Sequence, residues 1–107
     1  MNPAEDLLAI HLTELGLHFE RNYRYVKGRK FAADFAVWQP NPHRRFALIE
    51  VQGGIYTRQA HGSITGVRAD NTRLYEAFKA GWAVLRFTPQ QVMDGEAREM
   101  VREYLEG

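Results

Sequence analysis

The sequence contains no cysteine. That excludes a disulfide framework and any thiolate metal site. No apolar run approaches the ~20 residues that span a bilayer. The first residues, Met1-Asn2-Pro3-Ala4-Glu5-Asp6, lack the basic start and apolar run of a secretion signal, so a cytoplasmic location is expected. Internal repeats, low-complexity tracts and linkers are missing as well. His11 and His18 are too far apart for an HExxH-type zinc site, and no other zinc spacing occurs. What is present is 107 residues, 45% hydrophobic and 25% charged, read as one globular domain over 1–107.

Overall charge is nearly absent, at +1, but it is unevenly spread. Between Arg21 and Arg73 stand ten Lys/Arg against three Asp/Glu, a local excess of +7; the remainder carries −6. A basic middle between acidic ends suits a face that meets a polyanion, and equally suits basic loops that are simply solvated.

The stretch that organises the chain is Phe46-Ala47-Leu48-Ile49-Glu50-Val51-Gln52-Gly53-Gly54. It has strand length and strand residue types, and the glycines end it. Alternation puts Phe46, Leu48, Glu50 and Gln52 on one face and Ala47, Ile49 and Val51 on the other. An acid closing a buried run is costly without a partner, such as a metal ion.

Around this stretch the elements follow in order. Residues 2 to 16 read as a helix, with Asn2 as N-cap, Pro3 at the first position, Glu5 closing a capping-box-like pattern and Gly16 as the stop. Glu5 falls one turn from the Leu8/Leu12/Leu15 stripe. Residues 17 to 27 read as extended and Lys27–Lys30 as a basic turn. Phe31 to Trp38 reads as a strand with Asp34 in its interior, where Asp is depleted. Residues 39 to 45 make a turn into the Phe46 strand, giving an antiparallel hairpin. With the loop centred on Pro42, Trp38 faces Phe46 and Asp34 faces Glu50, with Cβ atoms roughly 4.5–5.5 Å apart. Two facing carboxylates repel, and a divalent cation between them removes that penalty. Residues 55 to 66 read as irregular. A helix is expected over 67–80, its spacing carried by Val67, Asn71, Leu74 and Phe78. Trp82 to Phe87 reads as a strand parallel to the Phe46 strand. Thr88 and Gln91 cap a helix start, and a C-terminal helix over 96–106 should turn Ala97, Met100, Val101, Tyr104 and Leu105 inward. Trp38 and Trp82 are expected in the core. The class is α/β: a mixed central sheet flanked by helices, in the order α-β-β-β-α-β-α.

Glu5, Asp34, Glu50 and Gln52 in this element order resemble the PD-(D/E)xK nuclease superfamily. The likeness is closest to small stand-alone members related to very-short-patch repair and phage-type endonucleases. It covers about residues 3 to 94 and is carried by the strands Lys30–Ala36, Ala47–Gly54 and Gly81–Thr88. The resemblance implies a restriction-endonuclease-like α-β-β-β-α-β core with a C-terminal helix. It also implies a Mg²⁺-dependent DNA endonuclease, with Mn²⁺ as a substitute, in a bacterial or phage-infected cell. Asp34, Glu50, the carbonyl of Val51 and Glu5 would hold the metal, and Asp34, Glu50, Gln52 and Glu5 would serve catalysis. Mg²⁺ suits such oxygen ligands, taking one or two carboxylates with water and phosphate.

Two positions depart from the family pattern. Ala33 stands where a Pro usually precedes the Asp, and Gln52 stands where the motif Lys belongs. A Gln amide orients water or a phosphate oxygen but brings no positive charge. Arg58, His61 and Arg73 are candidates to supply that charge. Arg24, Lys27, Arg29, Lys30, Arg44 and Arg45, together with Arg21, would meet phosphate without reading bases. A chain this small suggests a homodimer on DNA, with nicking or branched-DNA cleavage as its expected activities. The residues also leave blander roles open: capping alone for Glu5, a strand-end amide for Gln52, ion pairs with arginine for Asp34 and Glu50, and solvated surface for His61 and Arg73. With them stays the alternative of a weakened nuclease fold that serves as a DNA-binding or accessory subunit.

Overall fold

The computed structural model describes residues 2–40, 45–52 and 64–106; the candidate site residues Arg44, Arg58 and His61 lie outside them, as do Pro42, the Gly53-Gly54 pair and residues 55–63 of the stretch read as irregular. Helix α1 (Pro3–Glu14) begins as its first residues dictate: the Asn2 side chain accepts hydrogen bonds from the Ala4 and Glu5 amides. Gly16, at φ 74°, ends it, and the Leu17 amide reaches back to the Leu12 carbonyl at 3.1 Å.

Four strands follow: β1 (His18–Tyr23), β2 (Ala33–Trp38), β3 (Phe46–Val51) and β4 (Ala83–Phe87). Their spatial order is β1-β2-β3-β4. The first two pairs are antiparallel and β3–β4 is parallel, so the α/β class with a mixed sheet is shown. The hairpin register is the expected one, from Trp38 opposite Phe46 to Phe35 opposite Ile49. Strand β2 starts two residues later than predicted. The Ala32 carbonyl outside it accepts a hydrogen bond from the Arg73 side chain at 3.0 Å.

Helix α2 (Ile64–Lys79) connects β3 to β4. Its inward face is not the one that apolar spacing predicted. Ala77 is buried and Asp70, Arg73 and Leu74 are half-buried, whereas Val67 is 43% and Phe78 79% exposed. The short α3 (Pro89–Met93) opens on a Thr88/Gln91 capping box, and α4 (Glu96–Glu106) closes the chain. In α4, Ala97, Val101 and Leu105 are inside, but Met100 is 44% exposed: a stripe spaced three and four residues apart leaves Met100 on its rim.

The sheet divides the interior in two. On one side α1, α3 and α4 pack Leu8, Leu12, Val92, Val101 and Leu105 onto Phe35, Val37, Ala47, Ile49 and Val51. On the other, Ala36 and Leu48 meet Ala77, with Tyr23, Trp38, Trp82 and Val84 packed alongside. Trp38 and Trp82 are thus half-buried at the border of the second core, 6.1 Å apart in a T-shaped pair.

Phe35 is fully buried in the larger core and carries the guanidinium of Arg21 over its ring. Truncation to Ala should cost about 3–5 kcal/mol of stability. A urea titration measures this as a lower midpoint at unchanged slope; a loss below ~1 kcal/mol would contradict the packing described.

Candidate functional site

The chemistry gathers where β3 and β4 end, at the carboxyl end of the parallel pair, where α/β sheets commonly bind ligands. Glu50 stands opposite Arg86 in the β3–β4 register. The Gln52 amide donates to the Phe87 carbonyl at 2.8 Å, fixing Gln52 one residue past the strand.

Glu50 is 18% exposed and lies between two guanidinium groups. Arg73 Nη2 donates to its Oε2 at 2.9 Å, and Arg86 Nε is 3.2 Å from Oε1. Arg86 is itself gripped by Asp70, Nη1 at 3.1 Å and Nη2 at 2.9 Å, in the forked geometry that favours arginine. Arg73 also lies 5.7 Å over the Phe31 ring, and Tyr25 Oη donates to the Arg73 carbonyl at 3.4 Å. Burial opposes the charge on Arg73, but Glu50 and Tyr25 outweigh it and raise its pKa. Burial raises the Tyr25 phenol as well.

Asp34 directly precedes Phe35, whose partner in the hairpin is Ile49. Its Oδ2 accepts a hydrogen bond from the Val51 amide at 2.8 Å, so an acid inside a strand is satisfied by the neighbouring backbone. The repulsion expected from Glu50 is not what shifts Asp34. Burial raises its pKa first of all, and the Val51 amide, Arg73 and Arg21 pull it down. The like-charge neighbour instead acts on Glu5. Burial raises the Glu5 pKa, Asp34 adds to the rise, and Arg21 and Asn2 oppose it. Glu5 accepts a hydrogen bond from Asn2 Nδ2 at 3.1 Å and lies 3.8 Å from Arg21. It therefore caps the helix and also belongs to the electrostatic surroundings of Asp34.

The basic residues split. Arg24, Lys27 and Lys30 are exposed and pair with no acid among the described residues. Arg29 is exposed but 3.5 Å from Glu76. Arg45 is drawn to α4, donating to the Tyr104 carbonyl at 3.4 Å with its guanidinium over the Tyr104 ring. Two described members of the set meet a predicted site acid: Arg73 at Glu50 and Arg21, more loosely, at Glu5.

Sequence reading missed Arg86. The available signal was a charge inside an apolar strand, Val84-Leu85-Arg86-Phe87, on a strand expected to run parallel to the Glu50 strand. A separate hollow of about 370 Å³, lined by His18, Glu20, Trp38, Gln39 and Pro40, lies towards the other end of β2. Among the described residues its lining holds one acid, Glu20, and no guanidinium.

The donors suit a hard divalent cation in kind: two carboxylates on adjacent strands and a backbone carbonyl at Val51. Among the described residues, no three His, Cys, Asp or Glu side chains come together closely enough to hold an ion; Mg²⁺ needs only one or two carboxylates with water. Asp34 has one oxygen outside its backbone hydrogen bond. Glu50 fits on condition that one guanidinium gives way. No family model matches this chain, and neither the curated proteins nor the solved structures give a match.

The pKa of Asp34 is raised by burial, so its ionisation weakens the fold above the ordinary carboxylate range and costs nothing below it. Asp34→Asn keeps an oxygen for the Val51 amide. In metal-free buffer it should raise the thermal midpoint at pH 7, and the gain should vanish as the pH falls towards 4. A variant less stable than wild type at pH 7 would contradict this account.

Proposed function

We propose that this protein is a metal-dependent DNA endonuclease that uses Asp34 and Glu50 to hold Mg²⁺. The observation that carries the reading is the hairpin register. It pairs Phe35 with Ile49, the residues directly after Asp34 and directly before Glu50, and the Val51 amide donates to the Asp34 carboxylate at 2.8 Å. When bound, the cation would supply an activated water and neutralise charge building on the scissile phosphate.

The protein's own groups do the rest. Asp34 is fixed by the Val51 amide, so its remaining oxygen points from a held side chain. Gln52, pinned at the strand end, offers an amide to orient water or a phosphate oxygen. It carries no charge, and Arg73 supplies a cation on the same face, within reach of Glu50. Exposed Arg24, Lys27 and Lys30 add backbone-directed affinity without reading sequence. A homodimer would present two such sites to a duplex or a junction.

A specific observation favours a second reading, a DNA-binding or accessory module with weakened catalysis. Both oxygens of Glu50 face guanidinium groups, and Gln52 replaces the motif's charged residue.

Cleavage of labelled duplex, single-stranded and four-way-junction DNA in Mg²⁺, Mn²⁺ or EDTA separates the two. The nuclease reading predicts cutting that EDTA abolishes and that falls at least about 100-fold in Asp34→Asn and Glu50→Ala, beyond what loss of an outer-sphere partner costs. Salt-sensitive binding without cutting in either metal would overturn it in favour of the module.

A further inference from the structure

Glu50 has two arginine partners, and they are held differently. Arg86 belongs to a strand, directly opposite Glu50 in the parallel register. Both its terminal nitrogens are bound by Asp70, and its Nε edge faces Glu50. Its place therefore does not depend on Glu50. Arg73 reaches in from helix α2. A single nitrogen, Nη2, serves both Glu50 at 2.9 Å and the Ala32 carbonyl at 3.0 Å. Its side chain is 34% exposed against 25% for Arg86. Releasing Glu50 costs Arg73 one of two bonds from the same atom, while Ala32 and the Phe31 ring still hold it nearby.

We infer that Arg73 is the counter-ion that a divalent cation displaces from Glu50, and that Arg86, braced by Asp70, is the positioning residue that stays. This deepens the metal-dependent reading and rests on it. Arg73 now neutralises one oxygen of Glu50, and its charge acts on Asp34 as well. A doubly charged ion shared by those carboxylates meets like charge there, and the cheaper arrangement moves the less firmly held cation. The displaced guanidinium keeps its fork for a phosphate, which Gln52 cannot match. Before metal arrives, Arg73 keeps a partly buried carboxylate paired. That avoids the cost of an uncompensated charge.

The test is Mn²⁺ affinity of the DNA-free protein, by electron paramagnetic resonance of free Mn²⁺, for wild type, Arg73→Gln, Arg73→Lys, Asp70→Asn and Asp34→Asn, with circular dichroism to confirm folding. Arg73→Gln should bind Mn²⁺ about three- to tenfold tighter, the worth of one partly screened ion pair removed from competition. Arg73→Lys keeps the charge and should stay near wild type. Asp70→Asn, which loosens Arg86, should bind more weakly. Binding that depends on Asp34 but is unchanged or weaker in Arg73→Gln would overturn the displacement and leave the metal reading standing. No Mn²⁺ binding sensitive to Asp34→Asn in any variant would overturn both.

Discussion

A carboxylate at the end of a buried strand has to be compensated, and much of this structure follows from compensating Glu50. Leaving such a group unpaired in a partly buried setting costs several kcal/mol. Two guanidinium groups meet it, one from β4 and one from α2. The β4 arginine in turn needs an acid, which Asp70 provides one helical turn before Arg73. Asp70 and Arg73 therefore take inward places on α2. The helix presents a polar network to the sheet above a small apolar contact at Ala77, and Phe78 and Tyr75 are left outside.

The opposite side of the sheet has no such obligation. It carries the larger apolar core, under α1, α3 and α4. This division gives the hairpin a rigid base: Phe35, Ile49 and Val51 are anchored below while Glu50, one step away on β3, is presented above. Preorganised carboxylates on strands are held more firmly than carboxylates on loops, and the hydrogen bond from Val51 to Asp34 removes further freedom.

Sequence patterns reveal local features well here and tertiary ones poorly. The hairpin register was legible because alternation and a proline-rich turn fix which residues face each other, and a slip of one residue would have put the apolar set on the wrong side. The helix caps at Asn2 and Thr88 were legible because capping is settled within three residues. The inward face of α2 was not. Counting apolar residues selects Val67 and Phe78, whereas the face is chosen by ion pairs to β3 and β4. The Glu50–Arg86 pair was hidden for a related reason: it depends on a parallel register set by a crossover of more than thirty residues. The Asp34 carboxyl, expected to feel repulsion from Glu50, answers instead to burial, the Val51 amide, Arg73 and Arg21, contacts that no local pattern carries.

The central claim is that Asp34 and Glu50 share a divalent cation. The most direct measurement is anomalous scattering from a crystal of the protein grown with Mn²⁺. The account predicts one strong peak within about 2.3 Å of a carboxylate oxygen from each residue, with Arg73 turned away from Glu50 and Arg86 still on Asp70. A peak elsewhere, or none at saturating Mn²⁺ with both arginines still on Glu50, would contradict it.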